Sequence, residues 1–166
     1  TAFCISIAIM LPLLIYNKGI FLYYGDFNAQ QLPFGTLLQR VIKSDGIGWS
    51  WGTDLGTSLL GSYSFYLIGS PFFWLCMLFP IGSYVYLLPW VLAIKFGIAA
   101  LTAYAFIRRF TKTSDAAFIG AMLYAFSGFQ LYNVFFNHFH DVTALFPLML
   151  IAMEENIINR RKGVFA

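Results

Sequence analysis

"YVYLLPWVLAIKFGIAALTAYAFIRR", Tyr84 to Arg109, decides the fold. Up to Ile107 it carries one charge, Lys95, and two arginines follow at once. A helix needs about 20 mainly apolar residues to cross the hydrocarbon of a bilayer, and this stretch supplies them. Composition agrees, because 60% hydrophobic, 20% aromatic and only 10% charged residues in a chain of 166 exceed what one soluble core can hide. The class is a membrane protein. Working outward, residues 116–136 meet the same length and residues 142–158 nearly do. The leading run, residues 2–16, is too long for a secretory signal and lacks its small-residue cleavage site, so it reads as the remains of a first span. With no initiator Met, the boundaries look like cuts through a longer chain, whose remaining spans would be partners. The net charge of +3 is small and the basic residues cluster at span ends, which argues against a nucleic-acid partner. Cys4 and Cys76 lie in apolar runs and read as packing residues.

Residues 64–79 are too short to span comfortably. Within "GSPFFWLCMLFP", Ser70 is a ready N-cap and Pro71 fits the first helical position, which predicts a helix of roughly nine residues ending before Pro80. Such a segment dips into the membrane or lies flat on it. "RRFTK" (108–112) and "NRRK" (159–162) are separated by two spans, so they share a side, and the positive-inside rule makes it cytoplasmic. A re-entrant 64–79 then puts the long loop 17–63 outside, whereas a spanning one puts it inside. In that loop Phe34, Leu37, Leu38, Val41 and Ile42 fall at helical spacing, with Gln31, Gln39, Arg40 and Lys43 on other faces. This predicts an interfacial amphipathic helix started by Pro33 and ended through Gly46. Trp49 and Trp51 in "GWSWGTDLGTS" read as interfacial anchors. The expected fold is all-α: a polytopic helical membrane domain over 1–166, with a truncated first span (1–16), a loop of interfacial and re-entrant helices (17–83), and spans at 84–107, 116–136 and 142–158.

Polar residues in so apolar a chain are the candidates for chemistry. Asp26, in "IFLYYGDFNAQQLPFG" (20–35), follows the first span closely. A carboxylate partly desolvated by Tyr23, Tyr24 and Phe27 can act as a base, and it can equally cap a turn that Gly25 permits and Asn28 shares. "FNHFHD" (136–141) holds the chain's two histidines, His138 and His140, beside Asp141. They are candidate metal or phosphate contacts, with Asp141 alternatively capping a helix from Val142. Lys95 lies roughly 16 Å along its helix from the outer end and needs a lipid phosphate or a partner in the missing part of the longer chain. Asp115 reads as the cap of the next helix, and Glu154 and Glu155 as interfacial charges with local partners.

The order of a first span, "YGDFNAQQLPF", "WSWGTDLGTSLLGSYSFYLIGSPFFWLCMLFP", "LAIKFGIAALTAYAFIRR" and "NHFHDVTALFPLMLI" resembles the N-terminal part of the bacterial YfhO family of multispan membrane proteins. By resemblance that family is GT-C-like, a glycosyltransferase class using polyprenyl-phosphate-linked sugars on the outer side of the membrane. The resemblance implies a cell-envelope hexosyltransferase in a bacterial plasma membrane, multi-pass, with its active side extracytoplasmic and an acceptor such as lipoteichoic acid. It carries the catalytic roles over to Asp26, as base, and to Asp141. His138, His140, Lys95 or Arg40 would contact the phosphate. A divalent cation is a candidate cofactor, with Asp26, His138, His140 and Asp141 as candidate ligands, although the first loop has no Asp-x-Asp pair. A lipid or polymer transporter, using Lys95 and the prolines Pro89 and Pro147, and a non-catalytic assembly subunit are the alternatives.

Overall fold

The computed structural model describes residues 1–53, 55–158, 160 and 163. Helix α1 (Ala2–Tyr16) leads into an irregular loop, a π-helical turn (Phe27–Gln31) and, without a break, α2 (Leu32–Ser44). A two-residue antiparallel ribbon follows, β1 (Trp49–Ser50) on β2 (Thr57–Ser58), with Trp49 opposite Ser58. Then come α3 (Leu59–Tyr63), a second π-helical turn (Ser64–Ile68), α4 (Pro71–Cys76), α5 (Tyr84–Ile107), α6 (Ser114–Ala125), α7 (Gly128–Tyr132), a 3-10 turn (Asn133–Phe136) and α8 (Phe139–Ile158). The architecture is helical, as the apolar runs predict, and the ribbon is its small exception. Among the described residues two stretches are long and apolar enough to cross a membrane, Tyr84–Ile107 and Ser114–Phe136.

Helix α5 is the axis, with α1, α6, α8 and α2 packed around it. Small residues let them close in: a Cβ on Gly97 would sit 3.4 Å from the Cβ of Phe3, and Ala93, Ala99 and Ala103 are buried. Hydrogen bonds from side chains tie the helices across apolar surface. Thr102 Oγ1 donates to the Ala144 carbonyl at 2.8 Å, and Tyr124 Oη donates to that of Thr143 at 2.8 Å. At the far end Arg109 pairs with Glu154 at 2.7 Å and with Glu155, the local partnership expected of those glutamates. Of the "NRRK" cluster, residues 159, 161 and 162 lie outside the described residues.

Four expectations need correction. The run 116–136 is not one helix: α6 stops at Ala125, Phe126 leaves helical geometry, and extended Ser127 caps α7 by accepting the Gln130 amide. A Ser-Gly pair offers the backbone this alternative to a continuous ladder. Ser70 does cap α4, accepting the Phe73 amide at 3.2 Å, but regular α-geometry ends at Cys76. The chain to Phe79 tightens into i to i+3 bonds, because the ring of Pro80 disfavours α-geometry just before it. Asp115 is not the cap of α6; Thr113 is, and Asp115 sits in the first turn where the helix dipole favours an acid.

The fourth correction concerns α2, which starts and stops near Pro33 and Gly46 (φ +85°) as read from sequence. Gln31, just before it, and Gln39 within it, both expected off the apolar face, are buried. Gln39 uses its whole amide: Nε2 donates to the Cys76 carbonyl (3.0 Å) and Ser83 Oγ (3.1 Å), while Oε1 accepts from the amides of Gly82 (3.1 Å) and Tyr84 (3.3 Å). The helix is clamped to the loop before α5. Gly35 permits the approach, since a Cβ there would fall 2.0 Å from the Tyr84 ring.

Candidate active site

The loop after α1, the second π-helical turn and the turn before α8 bring their polar residues to one place. Gly25 takes φ +55°, and Asn28 closes the turn by accepting the Tyr23 amide (3.0 Å) and donating to the Tyr23 carbonyl (2.8 Å). Asn28 thus does the turn's work. Asp26 stands at the head of the π-helical turn without a capping bond, and its Oδ1 accepts from Gln30 Nε2 at 3.2 Å. Gln30 Oε1 accepts from the Tyr66 hydroxyl at 3.0 Å, and the Tyr66 ring meets His138 edge-on at 5.3 Å. On its other side His138 Nδ1 faces Gln31 Nε2 at 3.3 Å. An amide nitrogen only donates, so Nδ1 accepts and the neutral ring carries its proton on Nε2. Burial, and then the nearby Lys95 ammonium, lower the His138 pKa, with Asp141 opposing them.

Lys95 is buried, and its partner lies within the chain. Its ammonium reaches Asp141 Oδ1 at 2.5 Å, Asn137 Oδ1 at 2.9 Å and the Asn137 carbonyl at 3.1 Å, with the Phe72 ring 5.4 Å away. Two of those contacts are hydrogen bonds and the third is an ion pair. Asp141 Oδ1 has no neutral donor and is satisfied by the ammonium alone. Asp141 is therefore no cap of a helix from Val142, because α8 already begins at Phe139 and the carboxylate turns to α5. With side-chain exposure of 14% it also lines a cleft of about 250 Å³, shared with Tyr66, Gly69, Ser70, His138, Phe139 and Val142.

Other candidates fall elsewhere. His140 points into the core, its Nε2 donating to the Gln130 carbonyl at 2.9 Å and its ring 5.2 Å from Phe96. Among the described residues no three His, Cys, Asp or Glu side chains converge on a metal position, so Asp26, His138, His140 and Asp141 do not form the ligand set expected of them. Arg40 lies on the exposed face of α2, in a shallow depression with Asn28, Pro33, Thr36 and Val85, and among the described residues no hydrogen bond or ion pair joins it to Asp26, Gln30 or Tyr66. Sequence reading missed Gln30, Gln31, Tyr66 and Asn137. Their one visible signal was polarity inside apolar runs, which does not say which polar groups will meet.

The family described as bacterial membrane protein YfhO matches residues 2–166. The chain belongs to the YfhO family. No curated protein and no solved structure matches it. For the YfhO chain, membership makes the apolar helices those of a membrane protein.

Proposed function

We propose that this YfhO protein is a cell-envelope glycosyltransferase, moving a sugar from a polyprenyl-phosphate donor to an extracytoplasmic acceptor such as lipoteichoic acid. One observation carries the reading: the carboxylates of Asp26 and Asp141 belong to one polar cluster, joined through Gln30, Tyr66 and His138, beside a cleft in a chain otherwise rich in apolar surface. The acceptor hydroxyl attacks the anomeric carbon, the bond from that carbon to the phosphate oxygen breaks, and Asp26 takes the hydroxyl proton. Asp141 lines the cleft and is held by Lys95, which positions it rather than touching phosphate. Neutral His138 lines the cleft where the leaving phosphate would sit, and Arg40 supplies a cation in a separate depression on α2. The cleft faces outward, with residues 108–112 on the cytoplasmic side of a bacterial plasma membrane. Against a transporter built on a mobile Lys95 charge, that ammonium is held within the chain by Asn137 and Asp141.

The test compares wild type, Asp26→Asn and Asp141→Asn at matched membrane levels in a strain lacking the protein, with envelope-polymer sugars measured by mass spectrometry. Restoration by wild type and by neither variant is the expected result. Equal restoration by Asp26→Asn removes it as base, and no sugar change in any strain overturns the transferase reading.

A further inference from the structure

Two polar groups that line the cleft beside Asp141 keep hydrogen-bonding capacity that the described residues do not use. The Asp141 carboxylate is divided between two surroundings. Its Oδ1 is buried on the Lys95 ammonium, whereas among the described residues no donor reaches Oδ2, and the side chain keeps 14% exposure where it lines the cleft. An ionised carboxylate oxygen only accepts, so Oδ2 is an acceptor open to that space. The second group is the hydroxyl of Ser70, which lines the same cleft and is 7% exposed. Its Oγ accepts the Phe73 amide at 3.2 Å, which engages a lone pair and leaves the hydrogen, and among the described residues no acceptor takes that hydrogen. A buried donor without an acceptor is destabilising unless a ligand or a water completes it. On its inner side Ser70 borders a chamber of about 10 Å³ with Lys95 and Asn137, room for one water at most; the cleft offers about 250 Å³.

A donor and an acceptor on the walls of one small cleft suit a ligand whose groups both donate and accept, and the hydroxyls of a sugar do so. The volume suits a single sugar unit, since drug-sized ligands take roughly 300–1,000 Å³. We propose that the Ser70 hydroxyl and Asp141 Oδ2 read hydroxyls of the transferred sugar, which makes Ser70 a specificity-determining residue for the sugar that this protein accepts. The proposal deepens the transferase reading and rests on it for the nature of the ligand. Ser70 moves no proton in the reaction, so its loss changes which sugar is held.

The intact protein in lipid nanodiscs supplies the test, by calorimetric titration with citronellyl-phosphoryl glucose, galactose, mannose and N-acetylglucosamine, and then with the monodeoxy analogues of the sugar bound most tightly. Wild type is expected to bind one of these sugars and to lose about tenfold or more in Kd when one particular hydroxyl is deleted, the effect of a hydrogen bond that involves a charged group. In Ser70→Ala that ratio should fall at least about threefold, because the full sugar binds more weakly and the deoxy analogue does not. Ser70→Thr, which keeps hydroxyl and cap, should restore it. Ser70→Gly removes the hydroxyl with a residue that is itself tolerated as a helix cap, so a weakened α4 does not decide the outcome. Val142→Phe, at a cleft position 63% exposed, should obstruct binding without burdening the fold. A ratio unchanged in both Ser70→Ala and Ser70→Gly, a loss shared equally by every analogue, a Kd untouched by Val142→Phe, or a wild type that binds none of the sugars overturns the proposal. Binding is read without transfer, so a wild type that alters no sugar in the strain assay sinks the transferase reading while these ratios judge the site.

Discussion

Lys95 and Asp141 show how a residue pair can be half legible. Sequence marked both as outliers, and its period put Lys95 midway along a span. It could not show that a turn 42 residues on supplies Asn137, nor that Asp141 follows one helical turn later. The pair's strength is conditional. Lys95→Met leaves a carboxylate facing apolar surface, and is expected to cost about 3 kcal/mol, the low end for a broken buried pair because Asp141 keeps one face on the cleft. Lys95→Met with Asp141→Leu should recover most of that loss. Thermal unfolding in detergent reads both, and a double variant no better than the single would mean that the ion pair is not what the lysine contributes. At His138 the sign follows from burial. Its pKa is lowered in the fold, so as pH falls through about 6.5 the unfolded chain takes up the proton more readily than the folded one. Stability is present above that value and declines below it. The unfolding temperature of wild type should drop between about pH 7 and pH 5, and drop less in His138→Asn.

At the scale of elements, α2 repays comparison with its sequence. The helical period and both ends were legible from Pro33 and Gly46. Which face was buried was not, because Gln39 looks polar on a helical wheel and becomes a core residue only when the Cys76 carbonyl and the Gly82 and Tyr84 amides arrive to use it. Gln39→Leu is expected to cost at least about 2 kcal/mol, since it strands buried backbone groups. Gly35→Ala should cost on the order of 1–3 kcal/mol through its clash with Tyr84, and Tyr84→Val should return part of it. Thermal melts of the singles and the double decide this. If Gly35→Ala alone is neutral, α2 is not seated under Tyr84. The break at Ser127 was hidden for a related reason, because the apolar run is continuous there and only the cap geometry divides it.

Over the whole molecule, composition gave the membrane class and the long apolar runs gave its axis, whereas the site depended on three separate connections meeting. The ribbon after α2 holds Trp49 and Trp51 edge to face at 5.7 Å, and Gly56, at φ +107°, lies against both rings. Trp51 is 81% exposed, and Leu55 at the turn is fully so. The two tryptophans expected to anchor at the interface stand in this ribbon, while α2 buries Leu38, Gln39 and Val41. Its consequence is measurable: in vesicles with acyl chains brominated near the headgroups, fluorescence should be quenched more in wild type than in Trp51→Phe. Equal quenching would place the ribbon in water.

The Lys95–Asp141 contact also sets an order of events during synthesis. The lysine leaves the ribosome well ahead of its counter-charge, by about 2 to 9 s at ordinary bacterial and eukaryotic elongation rates. Through that interval α5 lacks the carboxylate that pairs its ammonium, and it is expected to sit shallow with its lysine reaching toward headgroups. Arrival of α8 is expected to release it to full depth. A span that looks self-sufficient by length is therefore completed by a helix made later, and a ribosome stalled before residue 141 should leave α5 accessible to reagents that wash away once the chain is finished.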